Sequence, residues 1–413
     1  MQPAMNPDLD NGVRIGRARR VIEVGPFVAV YSAMVMVVLG SSVTGVALPT
    51  MARSFGVGPS QVTGVAIAFP FGLLVALLPA AVLGDRGGRR GIFSAGVAVF
   101  TVASMACAIS TTLDLLVAAR FVQGIGGAAV LALGIALLRS VVGPDRLGPV
   151  IAGNAVAVAV ATAVGPVLGA GLLGMTDWRW LFALLVPVGL GVLVISRTLP
   201  VAPLASVPAG RDRMGAPFDL LRSAAYRNAV LASGLCFAGV AMAMVVLPFH
   251  LETGLGQRLR DVGVSLAAWP LTVAFAAPVA GWMSGRIATG TLCSVGGTLM
   301  AAGLGGLACV RAQGGVGIVV VLMMLCGLGF GLFNVPNNRN LFLGVPDGRA
   351  GAAGGMQGLA RLVGQTLGSL LAGALLGWAS DAIAPRLSLG VAALVTLGAA
   401  AVSSRRAEAM DRG

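Results

Sequence analysis

Apolar runs of about 20 residues, each long enough to cross a bilayer, recur from one end of this chain to the other. Of the 413 residues, 57% are hydrophobic and only 10% are charged, whereas a soluble globular chain carries about 25% charged residues. Twelve candidate spans can be counted, at 26–50, 60–83, 91–110, 113–139, 147–174, 179–198, 228–251, 262–284, 290–310, 315–336, 351–377 and 386–403. The chain reads as an all-α membrane protein, with the lipid bilayer as its first partner.

The longest polar stretch lies between the sixth and seventh spans, from Arg197 to Arg227, with Arg211, Asp212 and Arg213 set among Pro, Ala and Gly. It reads as a linker, and six spans, a linker and six more spans is the arrangement of two repeated halves. The expected units are a tail at 1–25, a six-helix half at 26–198, a linker at 199–227, a second half at 228–403 and a tail at 404–413. The net charge of +13 would suggest nucleic acid in a soluble chain. Here all 28 basic residues are Arg, and they gather in loops on one side. With both termini cytoplasmic, twenty arginines fall inside and six outside, leaving Arg120 and Arg361 within spans. No nucleic-acid partner is therefore expected.

The polar stretch from Met1 to Arg20 has no short apolar core followed by a cleavage site, so no signal peptide is expected. Cys107, Cys236, Cys293, Cys309 and Cys326 all fall in apolar segments without a CxxC pair. They read as buried small hydrophobes, not as disulfides or metal ligands. No HExxH, nucleophile elbow, P-loop or His–Asp constellation occurs, so no enzyme, metal or cofactor is expected.

Between spans two and three stands Leu83-Gly84-Asp85-Arg86-Gly87-Gly88-Arg89-Arg90. Gly88 permits a tight turn, and Asp85 can pair with nearby guanidinium groups or a helix N-terminus. The spacing resembles the D-R-x-G-R-R loop of the major facilitator superfamily, where it acts as a cytoplasmic gate latch. Span four contains Arg120-Phe121-Val122-Gln123-Gly124, which resembles the family's R-x-x-Q-G motif. Span five contains Gly165-Pro166-Val167-Leu168-Gly169-Ala170-Gly171. That run is similar to the G-P-x-x-G-G motif of antiporter members, with Ala170 in place of the last glycine. Leu48-Pro49, Trp178-Arg179-Trp180-Leu181-Phe182, Val186-Pro187, the run from Gly327 to Arg339 and the run from Gly358 to Gln365 resemble the drug:proton antiporter branch. The resemblance covers essentially the whole chain. It implies a major facilitator fold in a bacterial cytoplasmic (inner) membrane and a monomeric carrier that exports small, largely apolar molecules. A dedicated metabolite or sugar exporter, an uptake carrier or a transporter-like sensor are the rival readings.

Three departures matter. That branch has fourteen helices, and the Arg197 to Arg227 segment is too short and polar to supply two more, so a twelve-helix form is expected. The motif closing span one usually carries an Asp, where this chain has Gly40. The second Asp-Arg loop, after span eight, keeps only Arg286. Proton coupling, the first expectation for the driving ion, needs a group that titrates within the membrane. No Asp or Glu lies near the centre of any span. The nearest titratable candidates are His250, the only histidine, and Glu252 at the end of span seven.

An ionised side chain within a span is a functional candidate by default, so Arg120, with Gln123, is a candidate for coupling or substrate contact. By resemblance the pocket lies between the halves, and its candidate lining groups are Gln123, Asn334, Gln357, Arg361 and Gln365, with Met34, Trp269, Phe330 and Phe333. The set describes a mostly apolar pocket with sparse hydrogen-bonding groups. Without a buried acid, it favours neutral, zwitterionic or anionic ligands over strongly cationic ones.

Overall fold

The computed structural model describes residues 7–142, 144–200, 219–311, 315–343, 350–379 and 383–411, so most of the expected linker lies outside the described residues. Among them, twelve helices are long and apolar enough to cross a membrane. They are α1 (Val24–Phe55), α2 (Pro59–Arg86), α3 (Arg89–Ala108), α4 (Leu113–Val141), α5 (Gly153–Met175), α6 (Trp180–Thr198), α7 (Ala224–Gly254), α8 (Leu259–Met283), α9 (Thr289–Cys309), α10 (Val316–Leu341), α11 (Ala353–Trp378) and α12 (Ala384–Ser404). The even number brings both termini to one side, here called the terminal side; the other is the far side.

Helix ends follow local chemistry. Thr112 caps α4 by accepting from the Leu115 N–H at 3.3 Å. Gly88, at φ +90°, turns α2 into α3. Prolines sit inside α1, α2, α5, α7, α8 and α10, as neighbouring spans permit. Where Pro187 lacks an N–H, α6 is interrupted at Leu184, between Trp180–Ala183 and Leu185–Ile195. The helix holding α1 begins already at Pro7, and the one holding α12 runs on to Asp411. The sequence-derived tails are therefore helical wherever they are described.

The two halves repeat one packing scheme. In the first, α1 packs on α5 and α6, α2 on α4, and α3 on α4 and α6. In the second, α7 packs on α11 and α12, α8 on α10, and α9 on α10 and α12. The corresponding crossings are closed by small residues. A methyl group on Gly126 would lie 2.7 Å from the Gly96 carbonyl oxygen, and one on Gly296 would lie 2.6 Å from that of Gly329.

The halves meet along α2–α11, α5–α8 and α1–α7, and the far side holds most of this contact. One buried core there takes residues from both halves, Leu48 and Trp178 with Phe249 and Leu266. On the terminal side the cores are separate. One is built around Phe93, Phe100 and Leu137 and receives only Leu362 from the second half. The other is built around Tyr226, Leu341 and Met356. Among the described residues, the buried core shared by the halves thus lies on the far side, and on the terminal side they meet at a seam where Leu362 enters the first half's core and Leu77 of α2 lies 3.7 Å from the Cβ position of Gly358 on α11.

Candidate functional site

With about 100° of turn per residue, the faces of α11 can be assigned. Val363, Leu367, Leu370, Leu371 and Trp378 form its exposed apolar stripe. Gly364 and Gly368 lie against Gly234 and Ala238 of α7, while Gly373 approaches Thr63 of α2. The remaining face points between the halves, and it carries Gln357, Arg361 and Gln365 on successive turns. Arg361 is exposed although it lies on the face away from the apolar stripe, so it borders the opening between the halves. On α10, Phe330 and Asn334 likewise lie opposite exposed Ile318, Val321 and Leu328.

Two contacts join these stripes. The Gln357 amide donates to Asn338 at 2.5 Å. The Arg361 guanidinium lies 5.5 Å from the centre of the Phe237 ring, which stands edge-on to Phe330 at 5.5 Å. Five of the expected lining residues, Phe330, Asn334, Gln357, Arg361 and Gln365, therefore share one patch. Met34, Trp269 and Phe333 instead pack in the core, at 3%, 3% and 1% exposure. Met34 fills the space over Gly134 of α4.

Arg120 and Gln123 are sealed inside the first half, at 1% and 0% exposure. Arg120 donates to the carbonyls of Gly40 at 3.2 Å and Val65 at 3.4 Å, and to the Gln123 side chain at 2.5 Å. Gln123 passes the chain on to Ser104 at 2.7 Å. The guanidinium also lies over Phe69 at 4.5 Å. Glutamine amide and backbone carbonyls are the partners expected of a buried guanidinium with no carboxylate nearby. At Gly40 itself a Cβ would meet Phe100 at 3.1 Å and Leu185 at 3.2 Å. A side chain at this position would need those two to give by a few tenths of an ångström.

His250 and Glu252 do not meet. His250 is 1% exposed, with Nε2 3.0 Å from the Leu307 carbonyl, whereas Glu252 pairs with Arg53 at 2.6 Å. This ion pair joins the halves across the far side. Beside it the Ser60 hydroxyl donates to the Gly373 carbonyl at 3.0 Å. The span-five motif belongs to the same seal. Gly165 and Gly169 admit Ser42 and Val43 of α1, and Pro166 and Ala170 face Gly263 of α8 in the other half. On the terminal side, Asp85 pairs with Arg89 at 3.0 Å within its own loop. Arg90 donates to the Leu199 carbonyl at 3.0 Å, tying the loop to the end of α6, and Arg86 is exposed.

Sequence reasoning missed Phe237, Asn338, Arg53 and Gly263. Phe237 had a signal, as the only aromatic residue between Tyr226 and Phe249. The partners of Arg53 and Gly263 lie in the other half and left none. Cys309, expected to be buried, is exposed at the last turn of α9, while the other four cysteines are buried.

Two six-helix halves, whose described residues share a core over one face and keep largely separate cores over the other with a polar patch beside them, define a polytopic membrane carrier. The chain belongs to the Major Facilitator Superfamily, which it matches over residues 30–369. It is 32% identical to the uncharacterized transporter YebQ of Escherichia coli, over 92% of this chain and 95% of that one. It is 29% identical to the tetracenomycin C resistance and export protein of Streptomyces glaucescens, over 84% and 75% respectively. In fold it is similar to a bacterial homolog of the human lysosomal transporter Spinster, solved inward-facing and unoccupied. That likeness has a TM-score of 0.77 and 15% identity, covering 94% of this chain and 97% of that one.

Proposed function

We propose that this chain is a secondary active exporter of small, largely apolar compounds, working by alternating access with a proton as the counter-ion. The observation that carries the proposal is the closure of the halves on the far side and their parting on the terminal side, over a patch that mixes aromatic rings with a few amides. A carrier needs one such face closed while the other is open. The arginine bias supports a cytoplasmic terminal side, which makes this the inward-facing state, ready to load from inside. Export is the reading favoured by the span-five motif and by the relative that exports tetracenomycin C.

The test is an efflux and susceptibility panel in a bacterial strain lacking its main pumps, with and without a protonophore. Raised resistance and efflux that the protonophore abolishes is the expected result. Efflux that survives the protonophore would remove the proton from the mechanism. Uptake in place of efflux would favour an import carrier, and ligand binding without flux would favour a sensor.

A further inference from the structure

We propose that the patch around Arg361 recognises an acidic group, a carboxylate or its equivalent, carried on a planar apolar body. The proposal rests on the carrier reading above and adds the charge and shape of the substrate. Two charged side chains lie in span interiors away from helix ends, Arg120 and Arg361, and the structure treats them in opposite ways. Arg120 is sealed, and its Nε and Nη1 donors are taken by two carbonyls and a glutamine. Arg361 has only the Phe237 ring, with no hydrogen bond or ion pair among the described residues, and it stays exposed.

Exposed at the opening, the Arg361 guanidinium keeps its donors available to a ligand, and its planar fork of donors matches an oxyanion bidentately. The surroundings define the rest of the ligand. Phe237, itself buried, lies beside the guanidinium, and Phe330, edge-on to Phe237 and half-buried, presents the accessible ring. Asn334 and Gln365, one turn away from Phe330 and Arg361, also make no hydrogen bond among the described residues and are half-buried. Free amides beside a guanidinium and two rings suit a flat molecule with one anionic end and a polar edge. The described residues of the patch contain no carboxylate to welcome a cation.

Two dyes that share a xanthene–phenyl core but differ in charge test this: fluorescein, an anion at pH 8, and rhodamine 6G, a cation. Binding is read by fluorescence anisotropy on the full chain in lipid nanodiscs, and flux by release from proteoliposomes. The parent should bind fluorescein at least about tenfold more tightly than rhodamine 6G, as a charge-assisted contact worth a factor of ten or more requires. Arg361→Gln should lose that preference while keeping rhodamine 6G binding, and Arg361→Lys should restore part of it. Equal binding of the two dyes by the parent, or fluorescein binding unchanged in Arg361→Gln, would overturn the proposal. Anion preference through Arg361 without flux of either dye would uphold this site and remove the carrier reading. Flux without charge preference would do the reverse.

Discussion

At the scale of single residues, Arg120 and Asp85 make opposite predictions for the loss of a charge. Arg120→Ala strands the Gln123 side chain and two carbonyls in the sealed interior of the first half, and each unsatisfied buried group costs roughly 1–3 kcal/mol. Its melting temperature in detergent should fall well below the parent's. Arg120→Lys, which keeps the charge but loses the fork, should fall between the two and transport poorly. An Arg120→Ala protein as stable as the parent would contradict the sealed arrangement. Asp85 lies at the other extreme. Its pair with Arg89 is exposed on both sides, so it contributes only about 0–1 kcal/mol. Asp85→Asn should insert and melt like the parent while its flux falls, as the gate-latch reading of the loop, a bias on a conformational equilibrium, requires. Parent-level flux at equal expression would make the loop motif decorative. Chemistry of this kind was legible in the sequence wherever a charge broke an apolar run. The direction of each side chain was not legible. In a membrane, the faces turned to lipid and to the core are both apolar, so no periodic polar stripe separates Phe330, at the opening, from Met34, Trp269 and Phe333 in the core.

At the scale of elements, the twelve spans followed from length and hydropathy alone, since the bilayer sets how long an apolar helix must be. Their ends were less legible. Polar residues continue a helix into water as readily as they stop it, which is how the first and last helices outrun the apolar segments that begin and end the chain. The far-side seal was half legible: the span-five motif and Glu252 stood out as residues, but their partners Gly263 and Arg53 lie in the other half and left no mark beside them. Its ion pair is partly open, with Arg53 57% and Glu252 17% exposed, and pairs of that kind are worth about 1 kcal/mol or less. Replacing Glu252 by Gln should therefore shift the balance of far-side-closed and far-side-open states a few-fold, not completely. Spin labels at Ser54 and Arg258, in a background where the exposed Cys309 has been replaced, should report a longer mean distance in the variant. An unchanged distance distribution would mean that the α5–α8 and α2–α11 contacts hold the seal without the ion pair.

At the scale of the whole molecule, the proposed alternating access uses the repeat of packing between the halves, with two states related by exchanging which side is closed. The described helices begin and end on one face, which the proposed reading assigns to the cytoplasm on the arginine bias. Reporter fusions at either terminus and within 201–218 should all report the cytoplasm. A periplasmic signal from the linker would break the six-plus-six division. Gly40 bears on the history of such a molecule as well as on its mechanism. Phe100 and Leu185 crowd the place where a side chain would stand, and Arg120 has taken the Gly40 carbonyl as its acceptor. An aspartate introduced there would press on both side chains before its carboxylate could reach the guanidinium. Whether position 40 accepts an acid therefore depends on which residues stand at 100 and 185, so the three positions vary together and not singly.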